Sequence, residues 1–409
     1  MILFTLNMLL GFASLVLVLI TLGFALQAAA MMLLRDRPFS PLPRRPSVAA
    51  LVPAHNEEQN IEATLLCIKQ DLKAGDRLLV VADNCSDRTA SLAAQAGAEV
   101  LVRSNSELRG KGFALAAGLR HLASTPPEIV LFIDADCQIN RHGVDLLARA
   151  CATAGAPIQC RNLMVAHPET SGPSRLAEFA WRIKNDLRPN GYARLGLPCQ
   201  LHGTGMAVPW ALINPDLFAT GHLAEDIFFG LELAIRGHPA RFFRDACVTS
   251  YFPDTQSGHV QQKRRWVHGH LGLIRSHLPR LLLHALKTRD LQLLALAADL
   301  AVPPLGMLAI ANLVLLALSL LYLAVVGSGS PLAYSALALA VFAFSLVSAW
   351  YVSGRDLIGL GEIAQVPRHM AMVLRTVLTL ARRDRTQWIR ADRPRTRAPV
   401  GRHVRHTRH

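Results

Sequence analysis

No two of the seven cysteines are spaced C-x-x-C, and no zinc finger or other nucleic-acid motif is present. An odd, scattered set predicts reduced, mostly buried thiols in a cytoplasmic domain. Cys85 and Cys137 stand beside motif-bearing segments, but neither has an adjacent base to mark it as a nucleophile, so packing is the expected role. A Walker motif is also missing. Arg109-Gly110-Lys111-Gly112 has glycines and a lysine without the G-x-x-x-x-G-K frame, closed by Ser or Thr, of P-loop enzymes. There is no internal repeat. The N-terminus lacks the basic segment of a secretory signal, and its apolar run from Ile2 to Leu26 exceeds the ~7–15 residues of a signal core. A retained membrane anchor is predicted instead.

Apolar residues, by contrast, are abundant: 51% of the chain, with mean hydropathy +0.28. A soluble domain of this length is rarely so apolar, which predicts membrane segments. Three stretches qualify: 1 to about 34, 304–326 and 332–352, the last two separated by Gly327-Ser328-Gly329-Ser330-Pro331. At 1.5 Å per residue, ~20 residues cross the ~30 Å hydrocarbon core. Arg35, Arg37, Arg44 and Arg45 follow the first span closely. Positive charge beside a span marks the cytoplasmic side, so a multi-pass cell-membrane protein is expected, with its N-terminus outside and its central domain in the cytoplasm. Much of the net charge of +14 lies in the juxtamembrane segments and in the arginine-dense tail from Arg355. That placement predicts attraction to membrane lipid, with no nucleic-acid partner. The terminal stretch 402–409 reads as a disordered basic end.

Between the first and second spans, four strand-like runs end in polar turns: 48–52, 77–82, 99–102 and 129–133. Ile61, Leu65, Ile68 and Leu72 share a helical face; Asp87 can cap a run through Ala96, ended by Gly97; 111–122 makes a third helix. Alternating strands and helices predict an α/β fold with a mostly parallel sheet and right-handed crossovers. Such sheets bind ligands beyond the carboxyl ends of their strands. Residues 53–58, Asp83-Asn84 and Asp134-Ala135-Asp136 lie there. From about Arg141 the pattern loosens, with helices expected near 143–154, 175–186 and 222–236 and a loop-rich stretch at 191–205. The expected organisation is an anchor (1–34), an α/β domain (46–270), interfacial helices at 271–302, one basic and partly amphipathic over 256–279 and one leucine-rich over 281–300, two spans (303–353) and a basic tail (354–409).

Chemistry concentrates in four places. Asp134 and Asp136 follow an apolar strand, and strand alternation turns residues i and i+2 to one side. Paired carboxylates there suit a hard divalent cation, Mg²⁺ or Mn²⁺, held together with substrate phosphates. Lys111 opens a helix behind glycines, where an anion is favoured and backbone approaches closely; a plain glycine-rich helix start reads equally well. Glu225-Asp226 supplies carboxylates ionised at neutral pH, one of which can take the proton of an attacking hydroxyl. Residue type alone does not choose between them, and acidic residues at a helix start are also favoured by its dipole. Gln262-Lys263-Arg264-Arg265-Trp266 adds an amide, a guanidinium that can fork onto diphosphate oxygens and a large ring.

The ordered set Asp-Ala-Asp, Glu-Asp, Gln-x-x-Arg-Trp resembles the membrane-bound family 2 glycosyltransferases, the group that includes cellulose, chitin and hyaluronan synthases. The resemblance covers 48–266 and, in outline, the flanking spans. It implies a GT-A fold, a metal-dependent inverting transfer from a nucleotide sugar, with uridine the expected nucleoside, and a saccharide or lipid-linked acceptor, with partner membrane subunits where one chain has too few spans for a channel. It further implies that Asp83 contacts the base, that Glu57 in the Pro53-to-Glu58 loop contacts ribose or base, and that Asp226 is the catalytic base with Glu225 supporting it. Gln262, Arg265 and Trp266 then serve diphosphate and acceptor, and the loop ending at Gly205 approaches the acceptor. His202 in that loop is expected to be a hydrogen-bonded loop histidine. A polyprenyl-phosphate sugar transferase, a membrane nucleotidyltransferase and a non-catalytic scaffold are the rival readings.

Overall fold

The structure is a computed structural model describing residues 1–37, 44–166, 172–253, 256–327 and 329–380; the basic end at 402–409 lies outside them. After the apolar helix α1 (Ile2–Leu33), the chain alternates β1 (Val48–Ala54), α2 (Ile61–Lys69), β2 (Arg77–Asp83), α3 (Thr89–Gln95), β3 (Glu99–Arg103), α4 (Lys111–Leu122) and β4 (Ile129–Phe132). These are the elements that the apolar spacing predicts. The four strands pair in parallel in the order β3-β2-β1-β4. Both faces of the sheet are covered, as parallel strands require. Ala50 and Val52 pack with Ile61, Leu65 and Ile68 of α2, while Leu51 and Val81 pack with Leu115 and Leu119 of α4.

The second half is more regular than its sequence suggests. It contains β5 (Gln138–Ile139), α5 (Gly143–Ala154), β6 (Ile158–Val165), α6 (Gly172–Arg182), a π-helical turn (Ile183–Leu187), α7 (Arg188–Leu195), β7 (Met206–Pro209), α8 (Glu225–Ile235) and β8 (Arg241–Tyr251). The complete sheet has eight strands in the order β3-β2-β1-β4-β7-β6-β8-β5. β7 runs antiparallel to both β4 and β6, and β5 antiparallel to β8. The sheet is therefore mixed, parallel only in its first half and across β6 and β8. β6 hides from a hydrophobicity pattern because it carries Gln159, Arg161 and Asn162. Their partners are internal: the Gln159 amide donates to the Thr204 carbonyl at 2.9 Å, and Arg161 pairs with Asp186 at 3.1 Å. Residues 191–195, expected in a loop, continue the helix. Gly191 faces the Gln27 carbonyl of α1 so closely that any Cβ would collide with it.

α9 (Gln256–Thr288) passes through Pro279 unbroken, so the expected break near 280 falls later. It comes at Arg289, in the left-handed region at φ 54, and at Asp290, whose carboxylate accepts the Gln292 and Leu293 amides and caps α10 (Leu291–Ala301). α11 (Leu305–Val326) and α12 (Ser330–Ser353) follow. With α1 they are three helices long and apolar enough to cross a membrane. They pack on one another through Phe24, Leu308, Ala338 and Phe342. The segment expected to be a plain basic tail contains α13 (Leu360–Ile363) and α14 (Val366–Leu380), and Val373 of α14 rests against Gly306 of α11.

Candidate active site

Beyond the carboxyl ends of β1, β2 and β4 lies a cavity of about 390 Å³. Pro53, Glu57, Asp83, Lys111, Asp134, Asp136, Glu225, Asp226, Gln262, Arg265 and Trp266 all line it. Gly205 does not. It sits where β7 begins, at φ 63, packed against Cys160 and Val248. The glycine of that loop that reaches the cavity is Gly203, at φ 81. A Cβ there would lie 2.9 Å from the Asp226 carboxylate and 3.2 Å from the Lys111 ammonium. Gly203→Ala is therefore expected to displace both charges. A misplacement near 1 Å costs on the order of 10²-fold in rate, so transfer should fall by about that much, and the left-handed backbone strains an alanine, so the unfolding midpoint should fall as well.

One end of the cavity is built from the loops after β1 and β2. Asn56 and Asn84 take left-handed conformations at φ 54 and φ 51, which asparagine tolerates better than most residues. Asn56 Oδ1 accepts the Ser86 amide at 2.7 Å, and Asn84 Oδ1 accepts the Asn105 amide at 2.8 Å, tying the two loops to each other and to the chain after β3. Asp87 accepts the Thr89 amide at 3.0 Å, as a helix-start residue should, but also the Glu58 amide at 3.1 Å. Glu57 is buried and accepts from the Asn60 amide at 3.1 Å. Asp83 is held by Arg103, with Nη1 to Oδ1 at 2.5 Å. Sequence reading missed Arg103; the parallel register that sets it opposite Asp83 is its only signature.

At the centre, the Lys111 ammonium bridges the Asp134 carboxylate at 2.5 Å and the Gly203 carbonyl at 2.7 Å. Burial works to lower the pKa of Lys111, but Asp134, Glu225 and Asp226 outweigh it and hold it above the ordinary lysine value. Asp134 also donates its amide to Thr204 Oγ1 at 3.1 Å, fixing the end of β4 to the loop that carries Gly203. Ligand atoms of Asp134, Asp136 and Cys137 lie within 4.8 Å of one another. The two carboxylates suit a hard divalent cation. Lys111 already neutralises one of them, so a cation there competes with its ammonium and needs the added negative charge of a phosphate-bearing ligand. The Cys137 side chain is buried, in keeping with a packing role.

Glu225 and Asp226 open α8. Burial raises the pKa of both; the Asp226 charge raises Glu225 further, while Lys111 pulls both back down. Their surroundings differ. Glu225 feels Lys111 and Arg265, whereas Asp226 feels Lys111 and Lys184. Lys184, Trp181, Asn162 and His270 also line the cavity and were missed in the sequence. Trp181 stands 4.6 Å from Trp266 between ring centroids, and its indole N–H donates to the Asn162 carbonyl at 2.8 Å. The expected bonded role of His202 falls to its backbone: Nδ1 of the ring is buried without a partner among the described residues, while the amide donates to Gln159 and the carbonyl accepts from the Asn162 side chain.

A mixed sheet that gathers paired carboxylates at a strand end, a cationic helix start and an acidic helix start around one cavity defines a transferase of phosphate-bearing donors. Residues 43–269 match the family described as glycosyltransferase like family 2. The chain belongs to that family, and its activity is glycosyl transfer from a nucleotide-sugar donor. It is 43% identical over 193 residues to the uncharacterized glycosyltransferase Rv0539 of Mycobacterium tuberculosis, covering 42% of this chain and 84% of that protein. It is 25% identical over 236 residues to the probable glycosyltransferase YdaM of Bacillus subtilis, covering 55% of each. Among solved structures, the mannosyltransferase PcManGT from Pyrobaculum calidifontis, a complex with GDP-Man and Mn²⁺, superposes with a TM-score of 0.51 at 19% identity, covering 87% of this chain and 98% of that one. The GT-A-like fold is thus shared.

Proposed function

We propose that this chain is a membrane-embedded, metal-dependent, inverting glycosyltransferase that moves a sugar from a nucleotide sugar, UDP-linked in the preferred reading, to a saccharide or lipid-linked acceptor. The observation that carries this reading is that Lys111 joins the Asp134 side and the Glu225–Asp226 side of one cavity. Asp136 and Asp134 would hold a divalent cation, Mg²⁺ or Mn²⁺; when bound, it neutralises the charge developing on the diphosphate leaving group. Pro53, Glu57 and Asp83 bound the nucleoside end, and Arg265, with Lys111, faces the diphosphate. Asp226 takes the proton of the acceptor hydroxyl. The fold of this chain matches that of a mannosyltransferase complexed with a nucleotide sugar and Mn²⁺, which supports the donor class.

The reading places α1, α11 and α12 across the cell membrane, with the α/β domain on the cytoplasmic side, next to the arginines at 35, 37, 44 and 45. α9 and α10 then lie along the interface. Leu283, Leu286 and Leu291 are exposed on them, as a lipid-facing surface requires.

Nucleoside diphosphate release is the test, measured on detergent-solubilised full chain with a panel of nucleotide sugars, Mn²⁺ or Mg²⁺, and lipid extract or oligosaccharides as acceptors. Release from one donor, abolished by EDTA and restored by metal, is expected. Asp136→Ala should weaken metal-supported donor binding by at least about tenfold, since even outer-shell changes cost 10–100-fold in metal affinity. Undiminished donor binding in EDTA would remove the metal from the reading.

A further inference from the structure

The π-helical turn carries residues with two different destinations. Ile183 and Leu187 are buried in the cluster that includes Leu17 and Phe24 of α1 and Phe342 of α12. A π turn inserts one residue into the helical phase, and Lys184 faces the opposite way, onto the cavity wall within electrostatic reach of Asp226. Its ammonium makes no hydrogen bond or ion pair with a described residue.

His270 shares that wall and is 5% exposed. Its Nε2 lies 3.1 Å from the Val302 carbonyl oxygen. A carbonyl only accepts, so Nε2 carries the proton, and the neutral ring keeps a lone pair at Nδ1. That Nδ1 is buried and has no partner among the described residues. Burial, then Lys184 and Arg188, hold the ring near pKa 4, so it stays neutral at physiological pH.

On one cavity wall, then, stand Lys184, which reaches Asp226 and only donates hydrogen bonds, and His270, which reaches Lys184 and at Nδ1 only accepts them. A hydroxyl does both. A phosphate dianion offers acceptors alone, and would face the Nδ1 lone pair together with Glu225 and Asp226. Trp181 and Trp266, tilted 39° to each other, add apolar ring surface of the kind that one face of a sugar ring covers. We propose that Lys184 and His270 form an acceptor subsite that binds a hydroxyl neighbouring the attacking one, which makes the acceptor end a polyhydroxylated, saccharide-type group rather than a bare lipid phosphate or a simple alcohol. The subsite rests on the reading of Asp226 as the base and extends it to acceptor choice.

The test follows tryptophan fluorescence of the full chain in detergent, loaded with UDP and Mn²⁺. The probes are methyl glucosides, mannosides and galactosides, with octyl phosphate and octanol as the anionic and monohydroxy alternatives. Saturable binding of at least one methyl hexoside, tighter than either octyl compound, is expected. Lys184→Met and His270→Phe should each weaken it about tenfold or more, the loss of one hydrogen bond in an enclosed site. Lys184→Gln, which keeps a donor, should lose less than Lys184→Met. Octyl phosphate binding tighter than every hexoside, no hexoside binding at all, or Lys184→Met binding like the wild type would each overturn the subsite. UDP binding, titrated on the same samples, reports separately on the catalytic reading, so failure there is distinguishable from failure here.

Discussion

Asn in place of Asp226 is expected to leave donor binding intact and to lower sugar transfer about 10²–10⁴-fold, the range general-base catalysis supplies. The choice of Asp226 over Glu225 follows from what surrounds each. Glu225 sits under Gly112 at the start of α4 and feels Arg265, on the diphosphate side. Asp226 faces Gly203 and feels Lys184, on the acceptor side. Asn keeps the size and one acceptor oxygen of Asp but cannot take a proton. Burial first, and the neighbouring carboxylate for Glu225, raise each pKa above its ordinary value. A base works ionised, so transfer should fall as pH drops through that raised value, at a pH above the ~3.9 of an ordinary aspartate. The measurement is nucleoside diphosphate release against pH, with donor affinity from a separate titration. Glu225→Gln should lose less than Asp226→Asn. Normal turnover in Asp226→Asn would sink the assignment.

The legible parts of this molecule are those whose signal is local. β1 to β4 and their helices announce themselves as apolar runs between turns, and a parallel sheet then brings Pro53, Asp83 and Asp134 to one edge by topology alone. Glu225, Gln262, Arg265 and Trp266 come from far along the chain, and it is their order, not their spacing, that points to a shared site. Residues whose role depends on tertiary phase stay hidden. Lys184 is one lysine on an amphipathic stretch until a π turn rotates it toward the cavity. His270 is one of 16 histidines until Val302 fixes its tautomer. Gly203 and Gly205 are two residues apart, and only the left-handed turn at each decides which one meets the substrate. β6 and β8 are masked by polar residues whose partners lie across the fold.

The largest loss of stability is expected from Asp299→Ala. Asp299 lies in the apolar helix α10, where a carboxylate has no solvent to ionise into. It accepts hydrogen bonds from Gln27 at 2.6 Å and Gln200 at 2.6 Å, and pairs with Arg188 at 2.6 Å. Arg188 in turn donates to Gln27 at 2.8 Å. All four residues are buried. Deleting one partner of a buried ion pair leaves the other charge stranded, at a cost of about 3–5 kcal/mol, so the detergent unfolding midpoint should fall sharply. Burial acts to raise the Asp299 pKa, but Arg188 and the two amides outweigh it and hold it below the aspartate value. A lowered carboxylate pKa contributes stability above the unfolded pKa of ~3.9, lost as pH falls through the folded value. Wild type should therefore lose this contribution only in strong acid, and Asp299→Ala should lack it at neutral pH. Gln27→Leu removes one donor to Asp299 and one acceptor from Arg188 but strands no charge without its counter-ion, and should cost less, about 1–3 kcal/mol. Gln200 leads directly into His202, Gly203 and Thr204, which seat Lys111 and the Asp134 amide. The same hub thus ties the first apolar helix, α1, to the Asp134 side of the cavity. If it does so functionally, Gln27→Leu should depress transfer more than donor affinity, whereas equal loss of both would reduce the network to a structural bolt.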